Sequence, residues 1–189
     1  TRERVDTFYT HLFLRMVSAN EANLRRFAPA TESIPWVSRW CPDVMDPGIP
    51  IISRPRYREV LRHIWLRGAD GMQIFNPARR GYDDVVFAEV ADAVTVYDEM
   101  LAFRDYLNDG EPMNLDVPSV QHNGVLWSGL RLEDRAVVRA IKQGGGEAKL
   151  KLQPWPKTRV ELDVTGNGRT WLLTLDDGTV VAELHPSEM

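Results

Sequence analysis

Residues 55–76, PRYREVLRHIWLRGADGMQIFN, constrain the fold more than any other stretch. The first part has the three- and four-residue apolar spacing of one helical face, carried by Tyr57, Val60, Leu61, Ile64, Trp65 and Leu66. Ser53 is placed to cap this helix, and Gly68 suits the left-handed residue that ends one. Residues 72–75 then predict a short buried strand. A helix followed by such a strand is half of a β/α repeat, and it needs neighbouring units to cover both strand faces.

The flanking segments supply further units of the same kind. A helix is predicted over Arg2–Phe27, with a buried face formed by Val5, Phe8, Tyr9, Leu12, Phe13, Met16 and Val17. Residues 34–40 are short, apolar and aromatic, which predicts a strand. A long amphipathic helix is predicted over residues 85–107, with apolar positions that include Val86, Val90, Val94, Tyr97, Leu101 and Tyr106. The alternation of helix and strand predicts a parallel sheet covered by helices.

Two parallel strands and three helices leave open strand edges and uncovered apolar surface. We therefore expect the missing strands to come from an earlier part of the same polypeptide or from another chain. A helix that begins almost at Thr1 favours the first of these, a chain cut from something longer.

The pattern changes after Pro118 to short alternating runs, which predict strands over residues 125–132, 136–141, 148–152, 159–164, 170–175 and 179–184. Asp177-Gly178 lies between the last two runs and is a strong hairpin signal, because a tight primed turn needs positive φ. This half therefore predicts a small antiparallel β-sandwich or half-barrel. The domain boundary is placed between residues 1–112 and 113–189, where glycine, proline and acidic residues cluster.

Composition excludes several classes of function. The formal net charge of -4 over 189 residues gives no electrostatic footprint for nucleic acid or an anionic membrane. No apolar run approaches the roughly 20 residues that a membrane helix needs. Cys41 is the single cysteine, and the four histidines show no metal-ligand spacing, so neither a metal nor a cofactor is expected.

The segments IPWVSRWCPD (residues 34–43) and LRGADGMQIFN (residues 66–76), with a final helix and a β-domain, resemble the C-terminal part of a glycoside hydrolase. The similarity is to the last two units of a (β/α)8 barrel and the β-domain that many such enzymes append. It implies a TIM-like barrel whose active site lies at the C-terminal ends of the strands. Residues 34–40 would then be strand seven and residues 72–76 strand eight, with the loops 41–52 and 76–82 on the active-site face.

Glycoside hydrolysis needs two carboxyl groups about 5–10 Å apart across the scissile bond. Many barrel glycosidases of the largest clan carry a glutamate at the end of strand seven, but the first carboxylates after this strand are Asp43 and Asp46. Asp43 is the candidate catalytic residue within the chain. The alternative is that Asp43 is an ordinary loop aspartate and that the catalytic pair lies on strands upstream of Thr1.

Candidate substrate-binding residues occupy both strands and the loop after the second. Alternation places Trp36 and Trp40 on one side of their strand, where an indole stacks on the apolar face of a sugar. Gln73 and Phe75 share a face of the next strand, and the other candidates are Asn76 and Arg79. The Arg79 guanidinium could bind an acidic sugar. The alternatives are core packing for the aromatic rings, a capping role for Asn76 before Pro77, and simple solvation for Arg79.

These observations predict part of a glycoside hydrolase that acts on a poly- or oligosaccharide and contributes subsite residues at the barrel mouth. Its expected partners are carbohydrate and either the missing N-terminal barrel portion or another copy of the parent chain. The alternative is a non-catalytic carbohydrate-binding or interaction module. Similar enzymes are often exported, which favours an extracellular or periplasmic location without fixing it.

Overall fold

The computed structural model describes residues 1–39, 51–75, 83–117 and 124–186. The helices are α1 (Arg2–Phe27), α2 (Arg54–Trp65), α3 (Asp83–Met100) and α4 (Arg104–Asp109), with a 3₁₀ turn at Leu101–Phe103. The strands are β1 (Trp36–Val37), β2 (Gln73–Ile74), β3 (Glu111–Pro112), β4 (Val125–Leu132), β5 (Arg135–Lys142), β6 (Glu147–Leu152), β7 (Val160–Thr165), β8 (Arg169–Asp176) and β9 (Thr179–Leu184).

The N-terminal half is built around α2. The Ser53 hydroxyl accepts a hydrogen bond from the Arg56 amide at 3.4 Å, and Gly68 adopts a left-handed φ of 93° after the helix. Helices α1 and α3 both pack on α2. Strands β1 and β2 pair in parallel, as the alternation of helix and strand predicted. The described residues hold two strands of this sheet and no barrel.

The C-terminal half follows the alternating pattern closely. Strands β3-β4-β5-β8-β9 form one antiparallel sheet in that order, and β6 pairs with β7 as a separate hairpin. The six predicted strands are confirmed with ends shifted by one residue at most. Asp177 and Gly178 have φ of 44° and 78°, the positive values that a tight hairpin turn requires. The arrangement is a mixed helix and antiparallel-sheet fold, compatible with a small β-sandwich.

The five-stranded sheet is the middle of three layers. Its first face, which includes Leu126, Leu130, Val137 and Ile141, shares one core with the helices. Its second face, which includes Ala136, Val138 and Leu173, packs against the β6–β7 hairpin and Trp155. Strand β3, which ends at the predicted boundary of residues 1–112 and 113–189, pairs with β4. The core between the sheet and the helices contains residues from both sides of that boundary, and the division into domains stays a prediction.

Most of the apolar positions of the predicted helix over residues 85–107 are turned to the solvent. Val90, Val94, Tyr97 and Leu101 are exposed, and Phe87 beside them is 70% exposed. The face turned inward instead carries two fully buried carboxylates, Glu89 and Asp92, together with Val96 and Met100. The physical reason is that α2 offers guanidinium partners: Arg54 and Arg58 both bind Asp92.

The predicted buried face of α1 is wrong at three of its seven residues. Phe8, Leu12 and Met16 are exposed, and the inward face is formed by Asp6, Thr10, His11, Leu14, Val17, Ser18 and Glu21. Val17 is the predicted residue that is fully covered. Leu14 is the other apolar residue of the inward face, and polar side chains take the remaining positions. Among these, the Asp6 carboxylate accepts hydrogen bonds from the Ser53 amide and hydroxyl. None of the helices described here combines the length and apolar character needed to cross a bilayer.

Candidate functional site

An exposed aromatic face lies on the parallel strand pair. We define it by Trp36, Gln73 and Phe75. Trp36 is directly opposite Gln73 in the register, which puts their side chains on the same side of the sheet. The Trp36 and Phe75 rings stack with centroids 5.4 Å apart and planes inclined by 18°. Trp36 remains 58% exposed, so a broad indole surface faces solvent beside an exposed amide.

Backbone pairing fixes the position of this aromatic face. The Gln73 amide donates to the Pro35 carbonyl at 3.0 Å, and the Phe75 amide donates to the Val37 carbonyl at 2.8 Å. These bonds continue the parallel ladder on both sides of the two-residue strands. They fix the position of the Trp36 and Phe75 rings relative to each other. On the other face of this strand pair, Val37 is 1% exposed and packs into the core.

The structure thus brings together three of the seven predicted site residues. The other four, Trp40, Asp43, Asn76 and Arg79, lie outside the described residues. Trp40 and Asn76 directly follow the described ends of the two strand segments in the sequence.

Behind this sheet, Arg39, two residues after β1, contacts α3 and the segment that leads into α2. The Arg39 amide donates to the Glu89 carboxylate at 2.8 Å, and its guanidinium donates to the Ile52 carbonyl at 3.3 Å. Burial lowers the pKa of Arg39 below its ordinary value. Burial opposes ionisation of Asp92 too, but hydrogen bonds from Arg54 and Arg58 outweigh it and lower the pKa of Asp92. This charged layer positions the strand ends against α2 and α3.

A second polar group, between α2 and the five-stranded sheet, has the outline of a Ser-His-Glu triad. The Ser128 Oγ lies 2.8 Å from His63 Nδ1, and His63 Nε2 lies 3.2 Å from Glu59 Oε1. The spacing resembles that of a nucleophile, a base and an orienting carboxylate. His63 and Ser128 are 0% exposed, so a substrate has no access to the positions of the base and the nucleophile.

The partners of this group indicate a structural role. Glu59 forms a two-pronged ion pair with Arg139 at 2.9 Å and 2.7 Å, and Arg67 Nε donates to Ser128 Oγ at 2.9 Å. Burial would raise the pKa of Glu59, but Arg139 and His63 outweigh it and hold that pKa well below its usual range. The buried pair with Arg139, together with the burial of His63 and Ser128, favours a structural role for this group.

Arg67 completes the connection between the layers. Its guanidinium is 0% exposed and also donates to Ser18 Oγ on α1 at 2.5 Å and to the Asp116 and Trp127 carbonyls at 3.1 Å each. Burial lowers the pKa of Arg67 to about 10, which leaves the side chain charged at neutral pH. We call the six residues Ser18, Glu59, His63, Arg67, Ser128 and Arg139 the interlayer network.

Sequence reasoning missed the interlayer network. From the sequence, Arg67 in the last turn of a predicted helix is expected only to interact with the helix dipole, and His63 within that helix is expected only to be a structural or surface residue. The available signal was the recurrence of Glu59, His63 and Arg67 every four residues: the first two share the side of α2 that carries Val60 and Ile64, and Arg67 continues this spacing just beyond the helix end.

No family model, curated protein or solved structure matches this chain. Among the described residues, no group of three or more His, Cys, Asp or Glu side chains is arranged to hold a metal ion. The aromatic face is therefore the arrangement in the described part of the chain whose chemistry, two stacked rings beside an exposed amide, points most directly to a ligand.

Proposed function

We propose that the aromatic face binds carbohydrate and that the chain is part of a glycoside hydrolase acting on a poly- or oligosaccharide. The observation that supports this proposal is the Trp36–Phe75 stack, held by backbone pairing and left 58% exposed at Trp36. An indole held flat by a second ring presents a rigid apolar surface, which loses little conformational entropy on binding. Gln73 beside it supplies both a hydrogen-bond donor and an acceptor for sugar hydroxyls.

The proposal includes Trp40, Asn76 and Arg79 as further substrate contacts, because they follow the two strand segments in the sequence. Asp43 is the proposed catalytic carboxylate of this chain, and a second carboxyl group is then required from elsewhere. In this proposal Asp43 donates a proton to the glycosidic oxygen or acts as the nucleophile or base, depending on where its counterpart lies.

The proposal also includes a partner for the helical half. The β1–β2 pair has open edges among the described residues, and the two helices that flank α2 expose apolar side chains, including Met16 on α1 and Phe87 on α3. Further barrel strands and helices, from upstream polypeptide or another copy of the parent chain, would pair with those edges and cover these side chains. Native mass spectrometry tests this part, and a stable monomer of 21.6 kDa that hydrolyses sugar unaided would contradict it.

Substitution of Trp36 tests the binding site. Affinity electrophoresis through gels that contain soluble β-glucan, xylan, mannan or starch identifies which polysaccharide retards the protein. For that polysaccharide we expect Trp36→Ala to weaken binding at least tenfold, equivalent to about 1.4 kcal/mol. Phe87→Ala is the matched control, since Phe87 is an aromatic side chain that is 70% exposed on α3. Equal losses in the two variants, or retention by none of the gels, would reject the proposed site.

The second candidate function is a non-catalytic carbohydrate-binding or interaction module. It is favoured by the composition of the aromatic face, which consists of two rings and an amide. Release of reducing ends from the retained polysaccharide separates the two candidates. Hydrolysis that Asp43→Asn abolishes supports the enzyme, whereas binding without hydrolysis, also in the presence of the full parent polypeptide, supports the module.

A further inference from the structure

A cleft of about 650 Å³ lies between α2, the start of α1 and the turn that joins β7 to β8. Four arginines of α2 line it: Arg54, Arg56, Arg58 and Arg62. Asp6, Ser53, Glu59 and Asn167 contribute the other polar side chains. None of the three residues of the aromatic face lines this cleft, so any ligand it holds is separate from the proposed sugar contact.

The carboxylates around the cleft are already committed. Asp6 accepts hydrogen bonds from Ser53, and Glu59 is paired with Arg139. Two further carboxylates beside the cleft, Asp92 and Glu99, form ion pairs with arginines that line it. Asp92 is shared by Arg54 and Arg58, and Glu99 binds Arg62 at 2.7 Å.

Positive charge is therefore in excess. With Arg139 included, the cleft and its surroundings hold five guanidinium groups but only four carboxylates. Arg54 and Arg58 both bind the same carboxylate, that of Asp92. Arg56 is half-buried in the cleft wall, and none of the residues described by the structure forms an ion pair with its guanidinium. A guanidinium presents a planar fork of donors that matches the oxygens of carboxylate, sulfate and phosphate.

We propose that this cleft binds an oxyanion, with Arg56 as the principal ligand and with Arg54 and Arg58 adding positive charge on the same wall. The ion pairs to Asp92 hold the last two side chains in place, so little ordering is required when the anion enters. The chemistry fits a free inorganic oxyanion or the acidic group of a saccharide such as a uronate. The inference does not depend on hydrolysis or on the aromatic face.

Titration calorimetry with the intact chain distinguishes the two sources. Sodium sulfate and sodium phosphate, compared with sodium chloride at equal ionic strength, probe the free ions. A tetragalacturonate, compared with its methyl ester, probes the saccharide, since this pair differs in charge at the carboxyl groups. We expect at least one oxyanion probe to bind and its uncharged or chloride counterpart not to bind. Preference for the free ions or for the tetragalacturonate then identifies the source.

Three variants connect binding to the cleft. Arg56→Gln removes the proposed ligand and is expected to weaken binding of the preferred probe at least tenfold. Asn167→Asp adds a negative charge at the opposite wall, on an exposed turn, and is expected to weaken it by a similar factor. Arg15→Gln makes the same substitution as the first variant on an exposed position of α1 and is expected to have no effect.

The circular dichroism spectrum of each variant shows whether it is folded. If Arg56→Gln does not fold, Asn167→Asp still tests the proposal. Absence of binding by every oxyanion probe would overturn the proposal. So would unchanged affinity in the folded variants of Arg56 and Asn167, or an equal loss in Arg15→Gln. Retention in polysaccharide gels by Trp36→Ala and calorimetry with the Arg56 and Asn167 variants are scored independently, so failure of the sugar site and failure of the anion site are seen separately.

Discussion

In the β half, which contains strands β4 to β9, the five-stranded sheet has a core on each face. Val137 lies in one of these cores and Val138 in the other. In the helical half, α3 turns Val94 and Tyr97 to the solvent and buries Glu89 and Asp92 completely. Both the sheet and α3 are amphipathic, yet the sheet buries its apolar residues, whereas α3 exposes most of its apolar side chains and buries two carboxylates. The difference follows from what lies opposite each element.

The facing element decides which side of α3 is buried. Helix α2 carries arginines along the side that meets α3, and each buried carboxylate there gains a positively charged neighbour. Burial of a charge costs several kcal/mol unless a well-placed partner offsets it. In the β half, the pairs that lie on the surface, such as Lys149 with Glu161, are of the weakly stabilising kind. The helical half is therefore the part whose stability should depend on charge.

Removal of a buried carboxylate is the strongest test of this comparison. Glu59→Gln removes the carboxylate charge that the Arg139 guanidinium, which is 5% exposed, binds at 2.7 Å. We expect the free energy of unfolding to fall by about 3–5 kcal/mol, the usual effect of breaking a buried pair. Urea denaturation followed by circular dichroism measures it.

Glu161→Gln is the matched control for this substitution, because it breaks exposed pairs to Lys149 and Lys151 in the β half. Its expected cost is below about 1 kcal/mol. If the two glutamine variants lose similar stability, the interlayer network does not carry the charge dependence, and the contrast between the two halves is wrong.

The pH dependence of stability sharpens the comparison. Burial lowers the pKa of His63, and Glu59 only partly opposes it. The folded state therefore keeps this ring neutral, while the unfolded chain takes up a proton near its ordinary pKa of about 6.5. The stabilisation is complete above that pH and is lost as the pH falls through and below it, by at most about 1.4 kcal/mol per pH unit.

Unfolding free energies measured by urea titration between pH 8 and pH 5 should show this loss. His63→Gln should flatten the profile in that range, at the cost of lower stability at pH 8, because its amide does not titrate. Since the pKa of Glu59 is also lowered, a further loss is expected as the pH falls below about 4.3. An unchanged slope in His63→Gln between pH 6.5 and pH 5 would show that another group titrates there.

The sequence predicted the β half almost to the residue because local signals determine it. A period of two residues sets which side chains share a face, and Asp177-Gly178 fixes the register of its hairpin. The same alternation put Gln73 and Phe75 on one face of β2, and the aromatic face confirms that grouping. The assignments of function to these residues stay predictions, as do those of Trp40, Asp43, Asn76 and Arg79.

The interlayer network and the orientation of α3 were beyond local signals. Arg67 meets Ser18 across 49 residues and Ser128 across 61 residues, and no periodicity records such a convergence. The period of α3 shows that its apolar residues share a face, but it does not show whether the chain itself covers that face. Only the partner helix, with Arg54 and Arg58 turned toward Asp92, determines which side is buried.

Two valines of α3 test its orientation directly. Val94 is 51% exposed and Val96 is 0% exposed, two residues apart on the same helix. We expect Val94→Lys to change the free energy of unfolding by less than about 0.5 kcal/mol, the usual range for an exposed site. Val96→Lys places a charge in the core and should cost several kcal/mol or prevent folding. The reverse order of effects in urea denaturation would mean that the apolar stripe of α3 faces the core and Asp92 faces the solvent.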